Sequence, residues 1–453
     1  MRKVLAIARI AILNSVRSRM VLVLLALLAL AIVALPLTIK GDGTAQGQVQ
    51  ILLGYTLGAV SLVLSLATLW AGCAAVSTEI EERQLHLVVT KPIHRAQVWL
   101  GKWIGLVTVN ALLLAASGSF VYASLRWSLR RQDFPQAGRE RLQAEVLTAN
   151  RLIAATPVDI SAEARARLDA LKRSGDWMEP LLEAEALRVI GRDLLTRAYV
   201  VPSGSSRRWD FTLPRPLAGD RALLLRFRFA AAALETEPVR GRWRVLAGGD
   251  PVFERTEDRL PGAPHVLDIP AGPLAGTDAL TVEFANANTE PVTVFFDPES
   301  GVELLAHERG FEPNFMLALL AILVHLAFLA ALGVTAGSLF SMPVASFAAF
   351  WFVLLMQLGA YIHSFAEPAF APAGPAAPPA GAWEPLFRAV FRMLDLVVSP
   401  LHGTDPIGLL SGGQAILPAM LLRELLVKLV LYGGLMAVLS SAVLNRREIA
   451  LPS

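Results

Sequence analysis

The sequence predicts an α-helical polytopic membrane protein with six transmembrane helices and an α+β extracytoplasmic insert, helices then a β-sandwich, between spans three and four. Three observations lead there. The 453 residues are 54% hydrophobic and 17% charged, with a mean hydropathy of +0.52, whereas a soluble domain is about a quarter charged. Apolar runs long enough to cross the hydrocarbon core of a bilayer recur at both ends of the chain. Between them, residues 126–313 lose those runs and become rich in arginine and acidic residues.

Residues 1–19 carry Arg2, Lys3, Arg9, Arg17 and Arg19 among Val4, Ile7, Ala8, Ala11, Ile12 and Val16 at near-helical spacing. This is the pattern of an amphipathic helix on an anionic membrane face, and its basic residues place it in the cytoplasm. The segment is too long and too mixed for a cleavable signal, so the following apolar run is expected as a retained span. Spans are expected at about 20–38, 51–76 and 99–125, with a short polar loop at 40–50 on the far side. Residues 1–125 thus form a first domain.

The insert, 126–313, is expected to be helical to about 200 and β-sandwich-like from 201. Helices are predicted over 138–154, from Ser161 to about 175, and over 180–197, where Leu182, Ala186, Val189 and Ile190 share a face. Strand alternation follows. Leu223, Leu225, Phe227 and Phe229 oppose Arg226 and Arg228, and Trp243 and Val245 oppose Arg242 and Arg244. Residues 266–269, 280–284 and 292–296 repeat the pattern between turn residues.

Residues 314–453 hold the remaining spans, at about 315–339, 344–363 and 421–444. A Pro/Ala-rich loop precedes an outer-leaflet interfacial helix at 383–400, whose apolar face carries Leu386, Phe387, Val390, Phe391, Leu394, Val397 and Val398. Asn445-Arg446-Arg447 after the last span fits the cytoplasm, so both termini are expected there.

Several chemistries have no support. The net charge of +3 is small and dispersed, which argues against a nucleic-acid surface. Cys73 is the sole cysteine, so it forms no internal disulfide and no metal cluster. No GxxxxGK[ST], HExxH or GxSxG occurs. The spans hold almost no carboxylate except Glu424, which counts against a proton-coupled carrier. His325 lies deep in a span, as a proton or substrate group or as a hydrogen-bonded packing residue. Leu410-Ser411-Gly412-Gly413-Gln414 spells the signature peptide of ABC ATPases, but without a Walker A or B motif it reads as a Gly-rich turn. Gly54/Gly58, Gly101/Gly105 and Gly333/Gly337 have the spacing that lets helices approach closely, and Glu424 and Lys428 are spaced to pair.

The stretch from Glu79 to Lys102 concentrates charge between two apolar runs. Thr78-x-x-Glu81 reads as a capping box that starts a short helix, and Pro92 ends it near Thr90. On composition it is equally a solvated loop or a helix that docks on a partner. The order Glu79, Glu81, Pro92-Ile93, Arg95 and Gly101-Lys102 resembles the loop between spans two and three of type-2 ABC exporter permeases, of the nitrous-oxide-reductase-maturation and gliding-export type. Gln84 stands where Thr is common and Val88 where Leu is common.

The resemblance covers residues 1–125 and 314–453 and implies a permease subunit, not an enzyme, in a bacterial inner membrane. It implies a cytosolic ABC ATPase partner that binds ATP and Mg, no cofactor on this chain, and a second permease subunit, identical or related. Glu79, Glu81, Glu82, Arg83, Lys91, Pro92 and Arg95 would couple to the ATPase, while Gly101 and Gly105 would let span three pack tightly. The insert would handle substrate or dock an extracytoplasmic protein partner. Two other classes fit the sequence: a mechanotransmitting subunit that moves no substrate, and a membrane-anchored binding protein without an ATPase.

Overall fold

The computed structural model describes residues 2–17, 23–24, 26–30, 34, 45–81, 94–131, 136–174, 183–214, 223–232, 237–270, 272–298, 300–366, 384–401 and 403–446. These divide into two compact units. One comprises the described residues up to Ala149 together with those from Arg309 onward; the other runs from Asn150 to Glu308.

The first unit is helical. It contains α1 (Arg2–Arg17), α2 (Ala45–Glu81), α3 (Arg95–Arg131) and α4 (Gln136–Glu145). After the second unit come α7 (Phe311–Leu339), α8 (Met342–Gln357), α9 (Gly359–Ala366), α10 (Glu384–Val398), α11 (Pro406–Ser411) and α12 (Pro418–Glu424). The last helix continues through a π-helical stretch, Leu425–Gly433, into α13 (Gly434–Arg446).

Four helices among the described residues are long and apolar enough to cross a membrane: Ala45–Glu81, Arg95–Arg131, Phe311–Leu339 and Pro418–Asn445. They coincide with four of the six expected spans. Most of the first expected span lies outside the described residues. The fifth is not one spanning helix. The 16 residues of α8 reach only about 24 Å, and the chain breaks at Leu358 before Gly359, a poor helix former, opens α9.

Two neighbouring helices differ from expectation in length. α2 and α3 each run 37 residues, about 55 Å. The capping box at Thr78 is therefore absent. Thr78 Oγ1 donates back to Ala74 O within the last turns of α2, so the helix does not start there but continues to Glu81. A hydroxyl that finds a carbonyl four residues back has no reason to cap.

Glycines set the closest crossings. A Cβ on Gly72 would stand 3.0 Å from Gly333 Cα, and one on Gly337 would overlap Cys73 O, so α2 and α7 meet backbone to backbone. Trp99 Nε1 donates to Thr335 Oγ1 at 3.1 Å and Trp103 Nε1 to Ala327 O at 2.8 Å, which fixes α3 on α7. Thr68 Oγ1 donates to Asn110 Oδ1 at 2.9 Å between α2 and α3. On the predicted apolar face of α10, Leu386, Phe387, Val390 and Val397 are exposed and Val398 is buried.

The second unit holds α5 (Ser161–Ser174) and α6 (Glu183–Ala198), near the predicted helices, and eleven strands. The strands are β1 (Thr148–Ala154), β2 (Val200–Val201), β3 (Ser206–Thr212), β4 (Leu223–Phe227), β5 (Phe229–Ala231), β6 (Val239–Ala247), β7 (Asp250–Arg259), β8 (His265–Ile269), β9 (Ala279–Asn286), β10 (Val294–Phe296) and β11 (Val302–Gly310). They form sheets of order β1-β11-β4-β8, β2-β10-β5 and β3-β9-β6-β7. Phe227, Phe229, Trp243, Val245 and Phe284 are buried in one apolar core, as the alternation predicts. Arg226 on the other face of β4 pairs with Glu303 on β11 at 2.6 Å.

One predicted helix is half strand. Residues 138–154 were expected to be helical throughout, but α4 ends at Glu145 and Thr148–Ala154 is β1. Pairing beside β11 outweighs local spacing there. In α6, Val189 is exposed while Ala186 and Leu194 are buried, so the inward face is rotated from the predicted one.

Candidate functional site

The predicted coupling residues that lie within the described part are Glu79, Glu81 and Arg95; Glu82, Arg83, Lys91 and Pro92 lie outside it. The three flank the 82–93 segment, and each is held by another helix. Glu79 sits in the last turn of α2 and pairs with Lys102 of α3, Oε2 to Nζ, at 2.5 Å. The Lys102 side chain is 6% exposed and also donates to Ala75 O. A buried ammonium needs such partners, because an unpaired charge there costs several kcal/mol.

Glu81 reaches a different helix. Its Oε1 accepts from Met342 N at 3.2 Å. Met342 opens α8, whose own N-cap, Ser341, makes no side-chain cap. The carboxylate takes that role and lies against the positive end of the helix dipole. Arg95 does the converse at a helix end. Its Nη1 donates to Leu444 O near the C-terminus of α13, where carbonyls lack helical partners. Glu79, Glu81, Arg95 and Lys102 thus tie together the ends of α2, α3, α8 and α13.

Gly101 and Gly105 were expected to serve packing of span three, and their partner is α1. A Cβ on Gly101 would stand 2.7 Å from Ile7 Cβ, and one on Gly105 2.7 Å from Ala11 Cβ. Leu5, Ile10 and Leu13 of α1 stay exposed on another side. Gly54 and Gly58 behave differently, with nothing among the described residues within 4 Å of a Cβ at either position.

Sequence reasoning did not join His325, Glu424 and Lys428 into one site. In the structure they line a cavity of about 430 Å³, walled by α2, α7, α8, Leu401, residues 403–407 and the last helix. Glu424 and Lys428 are buried and pair at 3.3 Å. Glu424 Oε1 also accepts from Thr404 N at 2.8 Å and from Thr404 Oγ1 at 2.6 Å. Gly403 lies against the pair; a Cβ there would stand 2.5 Å from Lys428 Nζ. Lys428 belongs to the π-helical stretch, a form that is rare and concentrates at functional positions. The available signal was a second ionisable pair inside an apolar run, which is expensive without a purpose.

The LSGGQ peptide is a structural turn. Leu410 is fully buried, Gly413 has φ +66°, and a Cβ on it would overlap Glu145 O. Asn314 holds the turn, donating to Gln414 O at 2.8 Å and accepting from Ile416 N at 2.9 Å.

Residues 5–137 match the family model of the ABC-2 family transporter protein. The match supports an ABC-2-type permease, a class of membrane subunit that is not itself an enzyme and works with an ABC ATPase. It takes in α1, α2, α3 and the 82–93 segment between them, and so contains most of the clamp. No curated protein and no solved structure matches the chain.

Proposed function

We propose that the chain is the permease subunit of an ATP-driven exporter, with both termini in the cytoplasm of a bacterial inner membrane. A separate cytosolic ATPase, which binds ATP and Mg, pushes on residues 82–93. The observation carrying this reading is the ABC-2 match over residues 5–137, which brackets that segment with two long helices. The clamp supports the coupling role. A displacement of 82–93 pulls directly on Glu81 and on Arg95, and through them on the start of α8 and the end of α13. Glu82, Arg83, Lys91 and Pro92 form the docking surface itself. A second permease subunit seats on the open Gly54/Gly58 face of α2, beside exposed Tyr55 and Leu62.

The test is charge reversal at Glu82 and Arg83 in vesicles holding the chain and its ATPase. Stimulated ATP hydrolysis is expected to fall to the basal level of the free ATPase. Unchanged stimulation would remove the coupling assignment, and a chain that retains no ATPase on purification would instead be an anchored binding protein.

A further inference from the structure

The cavity beside the last helix has a charge pattern that selects a ligand. Glu424 accepts three hydrogen bonds, one from Lys428 and two from Thr404. Lys428 has donors left over: among the described residues its Nζ makes one hydrogen bond, to Glu424, and its side chain is 6% exposed. Two N–H donors of a buried ammonium are left over. His325 lines the same cavity and makes no hydrogen bond among the described residues. At the exposed edge of the cavity, Asp405 Oδ1 accepts from Ile407 N at 3.1 Å, while Oδ2, which lies beside Gly408, makes no hydrogen bond among the described residues. The cavity therefore offers spare donors at Lys428 and His325 and a spare carboxylate oxygen at Asp405.

From this we infer that the cavity binds a zwitterionic group, an ammonium joined by a short linker to a phosphate or carboxylate. The ammonium pairs with Asp405 and the anion with Lys428 and His325. A lone anion would face, among the described lining residues, the two carboxylates of Asp405 and Glu424 against the one ammonium of Lys428. A lone cation would leave the Lys428 donors unmet, and an unmet buried donor is costly. A zwitterion satisfies both ends and adds no net charge beside the buried Glu424–Lys428 pair. About 430 Å³ falls within the usual range for small-molecule sites. The group could come from a phosphoethanolamine lipid head or from a free aminophosphate or amino acid. Binding is an equilibrium of this chain alone and stands apart from the ATPase reading.

The experiment uses the full chain in nanodiscs. In phosphatidylglycerol discs, calorimetric titration with glycerophosphoethanolamine, whose phosphodiester carries a single negative charge, is expected to show saturable binding. Ethanolamine and inorganic phosphate should each bind at least about tenfold more weakly, the cost of one lost charged contact. In mixed phosphatidylethanolamine–phosphatidylglycerol discs, native mass spectrometry reads which lipid stays bound. Retention of phosphatidylethanolamine without soluble binding assigns a lipid source, and soluble binding assigns a free one. Asp405→Asn, which keeps the helix cap, and the double variant Glu424→Gln/Lys428→Met, which leaves no buried charge, should each weaken binding about tenfold or more. The proposal is overturned if the wild type takes up neither zwitterion. It is equally overturned if phosphate or ethanolamine alone binds as well, or if variants with unshifted melting temperature bind like wild type.

Discussion

Glu81 shows what one side chain does when its helix ends beside another helix that lacks a cap. Its carboxylate replaces the missing cap of α8. Sequence spacing singled out Glu79, Glu81 and Arg95, yet their partners were not legible, since Met342 and Leu444 lie hundreds of positions away. The capping-box reading of Thr78 failed for the same reason: local spacing does not reveal that a helix is already running. Lys102 is the buried member of the clamp, and its energetics follow from pairing. Glu79→Gln strands the buried Lys102 and is expected to cost about 3–5 kcal/mol, seen as a large drop in melting temperature in detergent. The double variant Glu79→Gln/Lys102→Met should recover most of that loss; no recovery would mean the pair is not what holds this end together. Gly413→Ala is a second case, combining a left-handed backbone with an overlap on Glu145 O. It should lower stability by at least about 1–2 kcal/mol, whereas Ser411→Ala, next to it and exposed at its hydroxyl bond, should be nearly silent.

Among elements, three pairs of glycines with the same spacing have three different fates. Gly333 and Gly337 carry the α2–α7 crossing, Gly101 and Gly105 seat α1, and a Cβ on Gly54 or Gly58 would meet no described residue. Spacing alone announces that close approach is available and is silent on who approaches. Gly105→Leu is expected to unseat α1 and to speed tryptic cleavage at Arg9, while Gly54→Leu should leave both cleavage and melting temperature of the single chain unchanged. Equal sensitivity of the two variants would contradict the packing described. The strand alternation of β4 and β6 was legible because one face of each is buried and the other carries arginine. Residues 148–154 were not, because a short mixed segment takes its conformation from the strand beside it.

For the whole molecule, composition carried most of the information. The switch from apolar runs to mixed charge divided the chain in sequence, and four of the expected spans are helices of spanning length. The unit from Asn150 to Glu308 has its own aromatic core, so residues 148–310, which complete β1 and β11, are expected to fold alone with a cooperative thermal transition. A non-cooperative melt would show that it depends on the helical unit. Within that helical unit the last helix begins at the Glu424–Lys428 cavity and ends at the carbonyl that Arg95 holds. The π-helical stretch, Leu425–Gly433, carries Lys428 at the cavity and leads toward that carbonyl, and each of its backbone bonds spans one residue more than in an α-helix. Such a stretch acts as slack in an otherwise stiff shaft. If it tightens to α-helical winding, one end turns about the axis relative to the other. A twist applied at Glu424 therefore reaches the Arg95 grip only to the extent that these nine residues do not rewind.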